Sequence, residues 1–236
     1  MRKKKKKNNI LRRLFNKKQL NKIDNKINLL GLETKLDAET FLFIRVVTSL
    51  LLFVLIFSNF RYGYIAGIVS VILYYLLFER VLLDDKIKQR NRKLDNEAIY
   101  FFEVLTLSLQ TGRNLNEAIE MTTSSIDSEL SNEFKEALRE TKYGKSLTES
   151  LTDMQKYIPS DNINNIILTL TQANMYGSSI IDTMQTQVDY LREKRIMEVK
   201  SAISKIPTKI SVISVFFFIP LILLIILGPV LINYLG

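Results

Sequence analysis

The sequence predicts an all-α integral membrane protein with three transmembrane helices and a cytoplasmic six-helix antiparallel bundle built from helix-pair repeats. Three observations support this fold class. Three long stretches are almost entirely apolar. A glycine-containing phrase occurs three times, at intervals of 32 and 33 residues. Apolar residues between these phrases recur at helical spacing, and no alternating strand pattern competes with them.

The first two apolar stretches predict a transmembrane hairpin over residues 41–78. They run Phe41–Phe57 and Tyr62–Phe78, and each has 17 residues. Each is slightly shorter than the roughly 20 residues that span a bilayer, so flanking residues must contribute. Arg45 lies one turn inside the first stretch, where its long side chain can snorkel to the interface. The alternative is the buried core hairpin of a soluble protein.

The third apolar stretch, Ile210–Leu235, predicts the third transmembrane helix. It contains 26 residues and no charged side chain. Pro220 is expected to kink it, and Gly228-Pro229 marks a bend or an end near the far interface.

The charge distribution predicts the orientation in the membrane. Residues 1–40 contain 13 basic and four acidic residues and so carry the whole net charge of +9. Residues 79–209 are also rich in Lys and Arg, whereas the hairpin connector carries only Arg61. The positive-inside rule therefore predicts a cytoplasmic N-terminus and central domain, with the C-terminus outside. A nucleic-acid function would have to reside in the tail alone, and none is expected.

Residues 1–40 form a basic cytoplasmic tail with a predicted amphipathic helix. Its lysine run, Met1–Lys7, precedes apolar residues at helical spacing, with basic residues on the other face. Such a helix suits an anionic membrane surface. The alternative is a cytoplasmic retention signal combined with a compositional bias toward Lys and Asn. The apolar residues are Ile10, Leu11, Leu14, Phe15, Leu20, Ile23, Ile27 and Leu30.

Helical periodicity and breakers predict six helices in a cytoplasmic domain over residues 85–205. The predicted ranges are Asp85–Thr111, Asn114–Ile126, Ser128–Tyr143, Ser146–Tyr157, Ser160–Tyr176 and Ser179–Ser204.

The recurring phrase predicts three helix–turn–helix joints. In each, a glycine ends one helix in the left-handed conformation and a polar residue two positions later caps the next helix. An acid three residues beyond the cap favours the positive end of that helix. The glycines are Gly112, Gly144 and Gly177, the caps are Asn114, Ser146 and Ser179, and the acids are Glu117, Glu149 and Asp182.

Short connections make neighbouring helices antiparallel, so all three glycine joints are predicted at the membrane-distal end. The joints at Asp127 and Pro159 are then predicted near the bilayer. Basic and polar residues at the distal end suit an acidic partner surface, although they could equally serve only to solvate the loops. The predicted contact residues are Arg113, Asn114, Lys142, Tyr143, Lys145 and Ser178.

The chain resembles the type II secretion F family, the inner-membrane platform proteins of type II secretion systems, type IV pili and tight-adherence (Flp) pili. The closest likeness is to the TadC-type subunit of the last group. The resemblance covers residues 40–236, although many members carry two copies of the domain and this chain has one. The residues that carry it are Gly112, Leu115, Ala118, Gly144, Ser146, Leu147, Gly177, Leu191–Arg195, Glu198, Ala202, Lys205–Lys209, Pro220 and Gly228-Pro229.

The resemblance implies a platform without chemistry of its own in the bacterial cytoplasmic (inner) membrane. A cytoplasmic hexameric ATPase would drive it to lift pilin-like subunits into a filament, and a second copy or a paralogous platform subunit would complete it. No phosphate-binding Gly-x-x-x-x-Gly-Lys-[Ser/Thr] motif occurs in the sequence. The absence of Cys and His excludes thiol nucleophiles and the usual zinc sites, and no cofactor is expected.

Two other classes of protein remain as alternatives. A membrane-anchored helical-repeat adaptor that docks cytosolic proteins would also show a period of this length, but its usual Trp-Leu-Gly-Tyr signature is missing. An integral-membrane enzyme or transporter would need clustered acids, and Glu103, Glu117 and Glu136 fit a solvated helix face. Should the ATPase not touch the distal joints, the next candidates are the exposed stalk faces at Arg90–Arg92 and Arg192–Arg195.

Overall fold

The computed structural model describes residues 17–32, 37–59, 63–176 and 180–235, and every regular element in these ranges is helical. The all-α prediction is confirmed for this part of the chain. The elements are α1 (Lys17–Asn28), α2 (Ala38–Asn59), α3 (Gly63–Glu79), a π-helical turn (Arg80–Asp84), α4 (Asp85–Gln110), α5 (Leu115–Ser125), α6 (Glu129–Thr141), α7 (Leu147–Met154) with a 3-10 turn (Gln155–Tyr157), α8 (Asp161–Tyr176) and α9 (Ile180–Leu235).

Two of these helices are long and apolar enough to cross a membrane. The candidate spans are Ala38–Ser58 in α2 and Ile180–Leu227 in α9. Helix α3 is also apolar but has only 17 residues. The chain divides into two compact units, one ending at Val188 and the other beginning at Asp189.

Helices α2 and α3 pack side by side as an antiparallel pair. The rings of Phe41 and Phe78 lie 5.2 Å apart near the open end of the pair. Further along, the hydroxyls of Thr48 and Tyr74 are 2.5 Å apart. A Cβ placed on Gly67 would lie 3.0 Å from the ring of Phe53, so the absence of a side chain at Gly67 allows the two helices to approach closely.

The guanidinium of Arg45 is buried between α2 and α3, near Glu79 at the end of α3. Its location at a membrane interface stays a prediction. The residue is only 4% exposed. Its Nη2 donates to the backbone oxygen of Tyr75 at 2.5 Å, and its Nη1 lies 3.4 Å from Oε2 of Glu79. The guanidinium carbon also lies 3.4 Å from the centre of the Tyr75 ring. Protein groups on α3 replace the water that a snorkelling side chain reaches.

The apolar stripe of α1 packs within the protein, so its described part does not face a membrane surface as expected. Leu20, Ile23 and Ile27 are each at most 5% exposed. They form one cluster with residues at the start of α2 and in the π-helical turn, and Leu30 packs against it. The other expected members, Ile10, Leu11, Leu14 and Phe15, lie outside the described residues. The cluster's remaining members are Ala38, Phe41, Leu42 and Leu83.

Helices α4 to α8 and the first turns of α9 enclose a second apolar core. Its centre is an aromatic group in which the Phe101 ring lies 5.4 Å from Phe102 and 4.6 Å from Phe134. All three side chains are fully buried. Met184 and Val188 add the beginning of α9 to the buried set.

Helix α9 is longer than the sequence predicts. The predicted helix Ser179–Ser204 and the predicted membrane helix Ile210–Leu235 are joined in one helix of 56 residues. Three prolines, Pro207, Pro220 and Pro229, lie inside it. Each removes one backbone donor, a loss that apolar helices tolerate when the freed carbonyl finds other partners. The apolar side chains from Ile210 to Leu227 are exposed.

Candidate functional site

Arg90 on α4 makes four hydrogen bonds to groups on other elements, and the sequence analysis placed it wrongly on an exposed face. It is 7% exposed. Its Nε donates to Glu129 at 2.5 Å and its Nη2 to Glu133 at 2.6 Å, both on α6. Its Nη1 donates to the backbone oxygens of Leu29 and Tyr157 at 2.8 and 2.5 Å. One guanidinium therefore joins α1, α4, α6 and the turn after α7.

The turn after α1 is shaped around Arg90. Gly31 has φ +94°, and a Cβ placed on it would lie 2.7 Å from the Arg90 Nε. Both the positive φ and this close approach require glycine. The sequence contained one signal for this turn, because Gly31 follows a predicted amphipathic helix. Its contact partner Arg90 is 59 positions away, and no local sequence pattern relates the two residues.

Three further hydrogen bonds fix the same end of the helices. Glu97 on α4 accepts from the backbone N–H of Leu130 at 3.0 Å. Ser160 donates to Asp95 on α4 at 2.5 Å while its oxygen caps the N–H of Ile163 at 3.2 Å. The first half of α4 therefore lies beside the start of α6 and the start of α8, so the joints at Asp127 and Pro159 belong to the end nearest the α2–α3 pair.

Lys26 connects α1 to the π-helical turn that joins α3 to α4. Its Nζ lies 2.7 Å from Glu79 and 2.8 Å from Asp84, at the two ends of that turn. In the turn the N–H of Asp85 donates to the oxygen of Arg80, five residues back. In this i→i+5 hydrogen-bonding pattern, residues five positions apart lie near the same face of the helix. The single ammonium of Lys26 can therefore bind the carboxylates of both Glu79 and Asp84. The periodicity of the sequence contains no signal for a π turn.

The two glycine joints in the described residues have left-handed backbone and a side-chain cap. Gly112 has φ +83° and Gly144 has φ +91°. Asn114 accepts from the N–H of Glu117 at 3.0 Å, and Ser146 accepts from the N–H of Glu149 at 3.1 Å. The third predicted joint, with Gly177, Ser178 and Ser179, lies outside the described residues.

Both joints lie at the end opposite Arg90. They follow the C-terminal ends of α4 and α6, whose first turns meet at Arg90. Asn174 near the end of α8 donates to Thr148 at the start of α7 at 3.3 Å, which places the end of α8 beside the Gly144 joint. We call this end of the helices, comprising residues 111–114 and 142–148, the distal surface.

Four of the predicted contact residues are exposed on the distal surface: Arg113, Asn114, Lys142 and Tyr143. Arg113 and Lys142 both lie along α5: Arg113 Nη1 contacts the Met121 sulfur at 2.6 Å, and Lys142 Nζ lies 3.6 Å from Glu120. Tyr143 is 76% exposed. Asn114 serves as the cap of α5. Two cations and one aromatic ring are therefore exposed at this end of the helices.

Lys145 is engaged within the protein. Its ammonium pairs with Glu140 at 2.8 Å and also with Asp153. The hydrogen bonds from Lys145 and Lys156 lower the pKa of the Asp153 carboxyl to about 2. The hydrogen bonds to Asp153 and Glu140 in turn raise the pKa of Lys145 above its usual value. Lys145 therefore braces the start of α7 and is a poor candidate for an outward contact.

One of the acids that an enzyme hypothesis would use, Glu136, is buried and has an ion-pair partner. Glu136 pairs with Arg139, with 2.6 Å between Oε1 and Nη2. Within the ranges that the structure describes, no group of three or more acidic residues could hold a metal ion.

Comparison with known proteins connects these helices to one family. The family model described as "Type II secretion system (T2SS), protein F" matches residues 101–228. The matched range is more than half of the 236-residue chain and includes both described glycine joints. No curated protein and no solved structure matches.

Proposed function

Because the chain belongs to the type II secretion system protein F family, we propose that it is the inner-membrane platform subunit of a type II secretion or tight-adherence pilus machine. The family is an inner-membrane family, and α2 and α9 contain candidate spans. In this proposal the platform couples a cytoplasmic hexameric ATPase to the extrusion of pilin-like subunits. The observation that supports it most is the family match over the helices that form the distal surface.

The proposed topology has three spans. In addition to the spans in α2 and α9, helix α3 is proposed to cross the membrane, because it packs along α2 through contacts such as Phe41 with Phe78. Its 17 residues extend about 25 Å, slightly less than the hydrocarbon core. The ion pairs at its end, around Glu79, then lie at the cytoplasmic interface. The C-terminus lies outside.

The proposed ATPase contact is the distal surface. If α2 and α3 are inserted, the Arg90 end of α4–α8 faces the bilayer and the Gly112 and Gly144 joints face the cytoplasm. Arg113 and Lys142 present positive charge there, which suits an acidic patch on the motor and would accelerate its encounter. The platform would contribute no catalytic group, and the energy would come from the partner.

Cysteine labelling in intact cells tests the topology, and the chain's lack of Cys removes any background. An impermeant thiol reagent should label Ser58→Cys and Gly236→Cys from outside, and should label Tyr143→Cys only after the cells are opened. Labelling of Tyr143→Cys and Gly236→Cys from the same side would contradict three spans.

Deletion of the gene for this protein tests whether the secretion or pilus machine depends on it. The deletion strain should lose surface filaments or secreted substrate while pilin-like subunits accumulate in the inner membrane. Complementation with the wild-type chain should restore export. Normal export in the deletion strain would refute the proposed platform function.

A further inference from the structure

An amphipathic cleft of about 1160 Å³ lies where the α2–α3 pair meets α4 and α6. Pockets of roughly 300–1,000 Å³ suffice for drug-sized ligands, so this cleft has room for a lipid headgroup and the first carbons of its chains. Apolar side chains of the pair, including Phe41, Ile44 and Phe78, line one part. Charged and polar side chains of α4, of the α5–α6 joint and of the start of α6 line the rest.

Most charges in the cleft are already neutralised within the protein. Arg90 pairs with Glu129 and Glu133, and Lys93 lies 2.9 Å from Glu129. Burial opposes the ionisation of Glu129, but the hydrogen bonds from these two cations lower its pKa overall. Glu97 accepts the Leu130 N–H. These groups hold the helices together, and with two cations against three carboxylates they leave a net charge of −1 on this side of the cleft.

Two lining groups of opposite charge remain. The side chains of Lys86 and Asp127 make no ion pair or hydrogen bond with any residue that the structure describes. Lys86 lies on α4, and the Cα–Cβ bond of a helical residue is tilted toward the helix N-terminus, which here is the side of α3. One free ammonium and one free carboxylate therefore border a cavity whose other part is apolar.

We propose that this cleft binds a glycerophospholipid whose headgroup carries both a phosphate and a primary ammonium. Lys86 binds the phosphate, and Asp127 accepts a hydrogen bond from the headgroup ammonium. The acyl chains leave past Phe41 and Ile44 along α2, whose outer side chains are apolar and exposed in the candidate span Ala38–Ser58. This inference rests on the proposed membrane insertion of α2 and α3.

The charge balance favours this zwitterionic headgroup over an anionic one. An anionic phosphatidylglycerol headgroup would satisfy Lys86 but leave Asp127 beside neutral hydroxyls and near a second negative charge. A phosphatidylcholine headgroup carries a quaternary ammonium that has no N–H to donate. Losing one charge-assisted hydrogen bond should change the retention of a headgroup by roughly tenfold or more.

Native mass spectrometry of the full-length protein in detergent tests the site after delipidation and addition of defined phospholipids. The wild-type protein should retain phosphatidylethanolamine in preference to phosphatidylglycerol at equal concentration. Lys86→Glu should reduce this retention about tenfold. The matched control is Lys88→Glu, which makes the same charge change at an exposed position that does not line the cleft. Asp127→Asn should reduce the preference for the ethanolamine headgroup.

Three results would overturn the inference. Equal retention by the Lys86→Glu and Lys88→Glu variants would mean that lipid binds only non-specifically around the spans. A wild-type preference for phosphatidylglycerol would contradict the assigned headgroup. No retained phospholipid in the wild-type protein would mean that the cleft is not a lipid site. Alkaline carbonate extraction of the Lys86→Glu variant tests membrane insertion separately, because an inserted protein stays in the membrane fraction. A failure of the membrane topology is therefore distinguishable from a failure of the lipid site.

Discussion

Arg90 and Glu133 form a buried ion pair in which Nη2 and Oε1 are 2.6 Å apart and the side chains are 6% and 1% exposed. Charges this deeply buried are tolerated only when each is paired and hydrogen-bonded. Arg90 meets this requirement with four acceptors from three segments that are distant in the sequence. The pair therefore fixes how the N-terminal helix, the long α4 and the start of α6 meet.

Breaking this pair should destabilise the protein strongly. Arg90→Met leaves Glu133 buried without its cation, and Arg90→Lys loses the planar fork that reaches several acceptors at once. We expect a loss of about 3 kcal/mol or more for Arg90→Met in the free energy of unfolding. Thermal melting in detergent, followed by circular dichroism, measures it. Arg92→Met, at an exposed position two residues on, should melt nearly as the wild type does; equal losses at both positions would contradict the assigned role of Arg90.

Gly31 and Gly112 offer a matched pair for separating backbone strain from a steric clash. Both have positive φ, +94° and +83°, but a Cβ at Gly31 meets the Arg90 side chain whereas one at Gly112 meets nothing within 4 Å. Gly112→Ala should cost about 1 kcal/mol, from the left-handed conformation alone. Gly31→Ala should cost more, because it also displaces Arg90. Unfolding curves that show the opposite order would contradict this arrangement.

The Gly144 joint should depend on its cap and its glycine in separable ways. Ser146→Ala should cost about 1 kcal/mol because the N–H of Glu149 loses its acceptor, whereas Ser146→Asp keeps one. Gly144→Val should cost about 1 kcal/mol or more, since a β-branched residue resists positive φ. If the protein melts unchanged with both Ser146→Ala and Gly144→Val, the joint contributes nothing to stability.

Asp153 should make the start of α7 sensitive to acid. Its pKa in the folded protein is about 2, below its usual value, because Lys145 and Lys156 stabilise the carboxylate. A lowered carboxyl pKa adds stability above pH 4, and this is lost as the pH falls from about 4 to 2. The pair is partly exposed, so the contribution is at most about 1 kcal/mol. Asp153→Asn should therefore melt lower than wild type at neutral pH, and the difference should vanish near pH 2. A constant difference across this range would contradict the assignment.

Local patterns predicted the joints and the class of the fold, while long-range contacts escaped them. Gly112 with Asn114, and Gly144 with Ser146, are recognisable because the left-handed residue and the cap are two positions apart. Arg90 was misplaced because its acceptors lie 39 to 67 positions away. The apolar stripe of α1 predicted that one face of this helix is buried, but it did not predict that the start of α2 buries it. An apolar helical face has the same sequence whether lipid or protein buries it.

Lys145 shows the same limitation at the candidate site. Its position in the joint predicted an outward cation, yet Glu140 and Asp153 hold it within the protein. The sequence gives the position of a side chain along a helix, whereas its ion-pair partners depend on rotamers and on neighbouring turns. Arg113 and Lys142 are therefore the better residues for testing the motor contact.

Co-purification of the full-length protein with its secretion ATPase, combined with filament assembly in cells, tests the platform account most directly. Arg113→Glu/Lys142→Glu reverses both outward cations of the distal surface, and Lys88→Glu/Arg92→Glu reverses two exposed cations of α4 near the other end as a control. Expression, membrane insertion and melting are compared in parallel. The account predicts that the distal variant remains folded and inserted but loses most of the bound ATPase and the filaments, while the control retains both. A folded distal variant that binds the ATPase and assembles filaments normally would contradict it.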